Sequence, residues 1–210
     1  MLRLLLVLLL FASPAAAEVR VLAFGDSLVS GYGLPARDGF VPRLQAWLRA
    51  HGARDVVVVN AGVAGETTAG GRARIGTALT PDIDAVLVEL GGNDILLGLP
   101  VASIGANLGA ILSAIDRPVL LAGLPAPPGW PKARRDRLGQ MFRDLGDDHG
   151  ARLYPNFLAG VVEGRSPRPI AALVQADGLH PNAAGVAVIV AGIGPDVLDL
   201  VADARRESRR

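Results

Sequence analysis

Val19-Arg20-Val21-Leu22-Ala23-Phe24-Gly25-Asp26-Ser27-Leu28 is the stretch that decides the fold. Val19 to Phe24 is a short, largely apolar run that Gly25 ends, which reads as a buried first strand. Beyond it Phe40, Val41, Leu44, Trp47 and Leu48 recur at helical spacing. His51-Gly52 stops that helix, because glycine suits the position after a last turn. A strand followed by a helix is half of a βαβ unit, and the pattern repeats along the chain. Val56 to Asn60 is a β-branched second strand. A weaker helix follows over about Thr68 to Leu79. Ala85 to Leu90 is a third strand, and a helix near Val101 to Ile115 leads to a fourth, Pro118 to Ala122. A polar amphipathic segment spans Lys132 to His149, and a short fifth strand lies near Arg152 to Tyr154. Pro181 reads as the first residue of a last helix, which continues past Gly194-Pro195 with a break. Leu124 to Pro131 is the conspicuous loop, because its prolines forbid helix.

Strands separated by helical stretches imply a parallel sheet. Strands apolar on both faces imply helices on both sides of it. About five strands are too few for a closed eight-stranded barrel. The expected fold is therefore a three-layer α/β/α domain of flavodoxin-like, doubly wound type. Such sheets place their sites beyond the carboxyl ends of the strands.

The chain has 210 residues, half of them hydrophobic, which suffices for one core and is short for two enzyme domains. A net charge of +1 gives no electrostatic footprint for nucleic acid. The loops also lack both a Walker signature and a spaced G-x-G-x-x-G after the first strand, which disfavours nucleotide binding. Met1-Leu2-Arg3, the apolar run Leu4 to Ala12, and Ala15-Ala16-Ala17 have the three parts of a secretory signal peptide. The expected organisation is a signal peptide over 1–17, one folded domain over 18–204 and a solvated basic tail over 205–210. The expected location is periplasmic or extracellular. No second long apolar segment is expected, and so no integral membrane segment after signal cleavage. With no cysteine, disulfides, thiolate metal ligands and a lipidated cysteine are excluded.

Ser27 follows the first strand directly and sits on a strand-to-helix turn, where a serine is often only a helix cap. Asp177-Gly178-Leu179-His180-Pro181-Asn182 changes its weight. A serine nucleophile needs a base, and the base needs an orienting carboxylate. An aspartate three residues before a histidine in one loop can supply both. His51 and His149 each precede a glycine and read as surface residues at helix ends, which leaves His180 as the base. Two further loops follow the second and third strands. Asn60 to Thr68 is rich in small residues, where a glycine lets backbone approach a ligand closely. Gly91-Gly92-Asn93-Asp94 offers an asparagine amide that can donate to an oxyanion. Asp26 and Asp94 are expected to stabilise their turns through side-chain to backbone hydrogen bonds, with no catalytic role.

With these four blocks in order, the chain resembles the GDSL/SGNH hydrolase family, from Phe24-Gly25-Asp26-Ser27-Leu28 to Asp177-Gly178-Leu179-His180-Pro181-Asn182. The resemblance implies a catalytic triad of Ser27, Asp177 and His180, and an oxyanion hole of Ser27, Gly65 and Asn93. It implies no cofactor and no metal. Gly31-Tyr32-Gly33 and Val88-Glu89-Leu90-Gly91-Gly92-Asn93-Asp94 are similar to the bacterial arylesterase, acyl-thioesterase and lysophospholipase branch. A monomer acting on a small acyl-ester or lipid substrate is expected, with the loop Leu124 to Pro131 shaping the acyl pocket. Two alternatives stay open at this point: an acetyl-carbohydrate esterase of the same family, and a non-catalytic binding protein on the same fold.

Overall fold

The computed structural model describes residues 18–164 and 170–210. Five strands form one parallel sheet: β1 (Val19–Gly25), β2 (Val56–Gly62), β3 (Ala85–Glu89), β4 (Val119–Ala122) and β5 (Arg152–Tyr154). Their spatial order is β2-β1-β3-β4-β5, which is the flavodoxin-like order. The chain reverses direction across the sheet between β1 and β3. A crevice therefore opens beyond their carboxyl ends. The register brings Gly25 beside Gly62 on one side and beside Glu89 on the other.

Every residue of β3 is buried, as a strand covered on both faces requires. Right-handed crossovers put the first connecting helix on one face and the later ones on the other. Helix α2 (Phe40–Ala50) joins β1 to β2 and packs on the last helix, α8 (Ala183–Glu207). Helices α3 (Thr68–Ala78), α5 (Val101–Ser113) and α6 (Lys132–His149) pack in sequence on the opposite face. Among the described residues, the short helices α1 (Ser27–Ser30), α4 (Gly92–Leu96) and α7 (Ala159–Val162) had no periodicity to betray them. Leu124 to Pro131 forms no helix or strand, and Pro131 caps α6.

The last helix departs from expectation in several ways. It begins at Ala183, not at Pro181. The side-chain oxygen of Asn182 accepts from the amides of Ala184 (3.0 Å) and Gly185 (3.1 Å), so asparagine is the cap. Pro181 forms an isolated antiparallel bridge with Val174 instead. The helix also runs unbroken through Pro195. An interior proline costs ~3 kcal/mol, and here Ile193, Val197, Leu200 and Val201 offset it by packing into the core on either side. It continues past 204 to Glu207, and Arg205 pairs with both carboxylate oxygens of Asp55 at 2.6 and 2.7 Å. The first part of the basic end thus belongs to the folded helix. Finally, α8 is long and apolar enough by composition to cross a membrane, contrary to the expectation of no further long apolar segment. Its apolar stripe is packed against α2 and the sheet, which is the position of a core helix. The expected signal peptide over 1–17 lies outside the described residues.

Candidate active site

The crevice at the switch point is lined from three strand ends and one late loop. Beyond β1, Asp26 caps α1: its Oδ1 accepts from the Leu28 amide at 3.0 Å. Ser27 is therefore the first helical residue, not the cap. It is largely buried, at 8 % exposure.

The late loop lies directly over it. His180 Nε2 is 2.9 Å from Ser27 Oγ, and His180 Nδ1 is 2.7 Å from Asp177 Oδ2. Asp177 Oδ1 accepts from the amides of Leu179 (2.9 Å) and His180 (3.0 Å). The bond to the His180 ring, and then those two amides, hold the Asp177 carboxyl down at about 2. Gly178 has φ +68°, a conformation that lets the loop fold back within three residues.

Gln175, which no pattern in the sequence singles out, fastens this loop. Its Nε2 donates to the carbonyls of Tyr32 (2.9 Å) and Pro181 (3.0 Å), and its amide donates to the His180 carbonyl (2.7 Å). Asn182 Nδ2 donates to the carbonyls of Ala172 and Val174. The Tyr32 ring stands 4.8 Å from the imidazole.

Asn93 is the second residue of α4. Its Nδ2 donates to the Glu66 carbonyl (2.8 Å) and to Asp26 Oδ2 (3.2 Å). Gly65 precedes that carbonyl and has φ +80° with open space at its missing Cβ, so its need for glycine is conformational. The loop that holds it is tied to β1 through the Val63 amide, which donates to the Gly25 carbonyl. Thus Gly65, Asp177 and His180 lie on loops that converge here, and Ser27 and Asn93 lie in the first turns of α1 and α4 at the same end of the sheet.

Asp94 does more than stabilise its own turn. It accepts from the amide (2.8 Å) and hydroxyl (2.6 Å) of Thr68, 26 residues away, and so ties α4 to the start of α3. Two buried acids, Asp26 and Glu89, stand behind Ser27. Burial pushes the Asp26 carboxyl up to about 6, and pushes Glu89 well above the usual carboxylate range. His51 stacks on Trp47 and His149 ends α6, both at the far edge of the sheet. Among the described residues, no group of three or more His, Asp or Glu side chains is placed to hold a metal ion.

The rim is apolar. Tyr32, Val63, Leu96, Leu97 and Leu179 are the large hydrophobic side chains exposed among the described residues. Each lies on a segment that carries part of this crevice.

The family described as GDSL-like lipase/acylhydrolase matches residues 23–188. An arylesterase of Vibrio mimicus is 35 % identical over 190 residues, covering 87 % of this chain and 90 % of that protein. Esterase TesA of Pseudomonas aeruginosa is 34 % identical over 202 residues, covering 93 % of this chain and 96 % of that protein. The crystal structure of AlinE4, described as an SGNH-hydrolase family esterase, superposes with a TM-score of 0.71 at 36 % identity, covering 88 % of this chain and 97 % of that one.

Proposed function

The chain belongs to the GDSL-like lipase/acylhydrolase family and is a carboxylic ester hydrolase, and on that premise we propose that it works through a Ser27-His180-Asp177 triad and an acyl-enzyme. The observation that carries this reading is the continuous path Ser27 Oγ, His180 Nε2, His180 Nδ1, Asp177 Oδ2, with steps of 2.9 and 2.7 Å. Asp177 is ionised at any working pH and accepts from Nδ1–H, which leaves Nε2 free to act as base. Nε2 takes the Ser27 proton as Oγ bonds to the acyl carbon. The carbonyl pair moves onto oxygen, and the amides of Ser27 and Gly65 with the side chain of Asn93 receive the charge. The imidazolium returns its proton to the leaving alcohol or thiol as the tetrahedral intermediate collapses. Water then repeats the sequence and releases the acid.

The apolar rim supports aryl and acyl esters, acyl thioesters or lysophospholipids as substrates over acetylated sugars. A sugar would leave Leu96, Leu97 and Leu179 facing polar surface. Residues 1–17 act as a cleaved export signal, so the working enzyme starts at Glu18 in the periplasm or the medium, as a monomer. Intact mass of exported protein tests this: retention of 1–17 refutes cleavage.

The deciding assay uses p-nitrophenyl esters of graded acyl length, phenyl acetate and an acyl thioester, with Ser27→Ala as control. Turnover on these and a fall of roughly 10⁴-fold or more in the control support the triad. An active Ser27→Ala enzyme refutes it.

A further inference from the structure

Glu89 ends β3 with no exposed surface; neither of its carboxyl oxygens makes a well-formed hydrogen bond, and the Asp26 amide is the one backbone donor that faces them. An ionised carboxylate in that place would give up its hydration, and the Asp26 amide returns less than burial takes away. A folded protein avoids this by keeping the group neutral. A neutral carboxyl carries an O–H, and that proton itself requires an acceptor.

The surroundings offer one. Glu89 is in register with Gly25, the residue before Asp26. A β-carbon at position 25 would stand 3.0 Å from Glu89 Oε2 and 2.6 Å from the Glu89 carbonyl oxygen. Glycine there lets the carboxyl lie flush behind the turn that carries Ser27. Asp26 is the one titratable group that acts on Glu89, and Asp26 in turn is faced by His180 and Glu66. Asp26 is buried as well, and its oxygens face the reacting groups. Oδ1 lies 3.0 Å from the Leu28 amide and 3.4 Å from Ser27 Oγ, and Oδ2 takes an N–H of Asn93 at 3.2 Å.

We propose that Glu89 is a neutral carboxylic acid that donates its proton to Asp26, and that the pair positions Asn93 and Ser27 for the reaction. This rests on the reading of Asn93 as an oxyanion donor. Two carboxyl groups then share one proton and one negative charge. Glu89 fixes the orientation of Asp26, and Asp26 fixes the plane of the Asn93 amide. Both N–H groups of that amide are engaged in the resting site. One is on the Glu66 carbonyl at 2.8 Å, and the other is on Asp26 at the longer 3.2 Å. The second, more weakly held, is the one that turns to the substrate oxygen as charge develops there. Burial acting on both acids favours the same assignment, with Glu89 keeping its proton after Asp26 has lost its own.

Glu89→Gln keeps the size and a donor, whereas Glu89→Leu keeps the bulk alone. The expected result is that Gln holds kcat within about threefold, while Leu lowers it on the order of tenfold or more with KM little changed, as befits a lost buried hydrogen bond that positions a donor. A measurement independent of turnover is the infrared difference between wild type and Glu89→Gln at about pH 8, above the ordinary carboxyl range. A protonated-acid C=O stretch that shifts in D₂O is expected from the wild type. That spectrum also decides the matter if the Leu variant does not fold. A carboxylate band in its place, or a Gln variant as impaired as Leu, overturns the proposal. Full activity of Asn93→Ala would refute the oxyanion reading instead and would leave the infrared band untouched.

Discussion

His180 Nε2 and Ser27 Oγ lie 2.9 Å apart although 153 residues separate them in the chain. One tie holds the late loop at that distance, and a second holds its shape. Gln175 reaches from the loop to the Tyr32 carbonyl on the Ser27 side, and the Val174–Pro181 bridge closes the loop on itself. Gln175→Ala removes the first tie and leaves the second. The loop then keeps its shape and loses its fixed distance to the nucleophile. Turnover is expected to fall on the order of tenfold, since even a small misplacement of a reacting group is costly. Thermal stability is expected to change little. Steady-state kinetics beside a melting curve checks this; a large loss of Tm with kcat intact would make Gln175 purely structural.

Asn93 is expected to matter in the transition state more than in binding. Removing one oxyanion donor costs on the order of 10²–10³ in kcat in a comparable hydrolase. Asn93→Ala is therefore expected to lose that much turnover on a soluble ester, with KM nearly unchanged. The variant also frees Asp26 Oδ2 and the Glu66 carbonyl, which now have one donor fewer. A rise in KM at constant kcat would assign Asn93 to substrate binding.

Asp94 is expected to show the opposite profile. Its carboxylate satisfies both the amide and the hydroxyl of Thr68, which is fully buried, and Asn107 Nδ2 donates to that same hydroxyl at 3.2 Å. Asp94→Ala orphans a buried amide and breaks the network. Each unsatisfied buried group costs about 1–3 kcal/mol, so a loss of about 3 kcal/mol in urea unfolding is expected. Loss of activity is expected only where the variant begins to unfold. A stability equal to wild type would mean that water replaces the carboxylate.

The sequence made the frame and the chemistry readable for a physical reason. β1 and β3 are apolar runs ended by glycine, and the residues that follow them are set by chemistry more than by packing. Ser27, Asn93, Asp177 and His180 could be named because each sits just after such a boundary or in a short loop with its partner. What stayed hidden needed three-dimensional neighbours. Glu89 looks like the ordinary polar end of a strand until the register places Gly25 beside it. Gln175 has no local signature, because its partners Tyr32 and Pro181 come together only after folding. α1 and α4 are single turns too short for periodicity to register. The continuity of α8 through Pro195 shows tertiary burial overriding a local breaker.

Asp26 gives the stability curve a definite sign with pH. Burial raises its carboxyl from the ordinary 3.8 to about 6 in the folded protein. Between those values the folded state holds a proton that the unfolded state has released. Stability from this group is therefore fully present below about pH 4 and is lost as pH rises through about 6. Asp177 acts with the opposite sign and in another window. Its carboxyl is depressed to about 2, so its contribution is present above 3.8 and is lost only as pH falls toward 2. Measurements from about pH 4 to 7 thus separate Asp26 from Asp177. Asp26→Asn removes the titrating group and keeps its shape. The wild type is expected to lose stability relative to this variant as pH rises across that range, with the difference levelling off above the Asp26 titration. Urea midpoints at a series of pH values check this. Parallel curves for the two proteins would mean that Asp26 titrates alike in the folded and unfolded states.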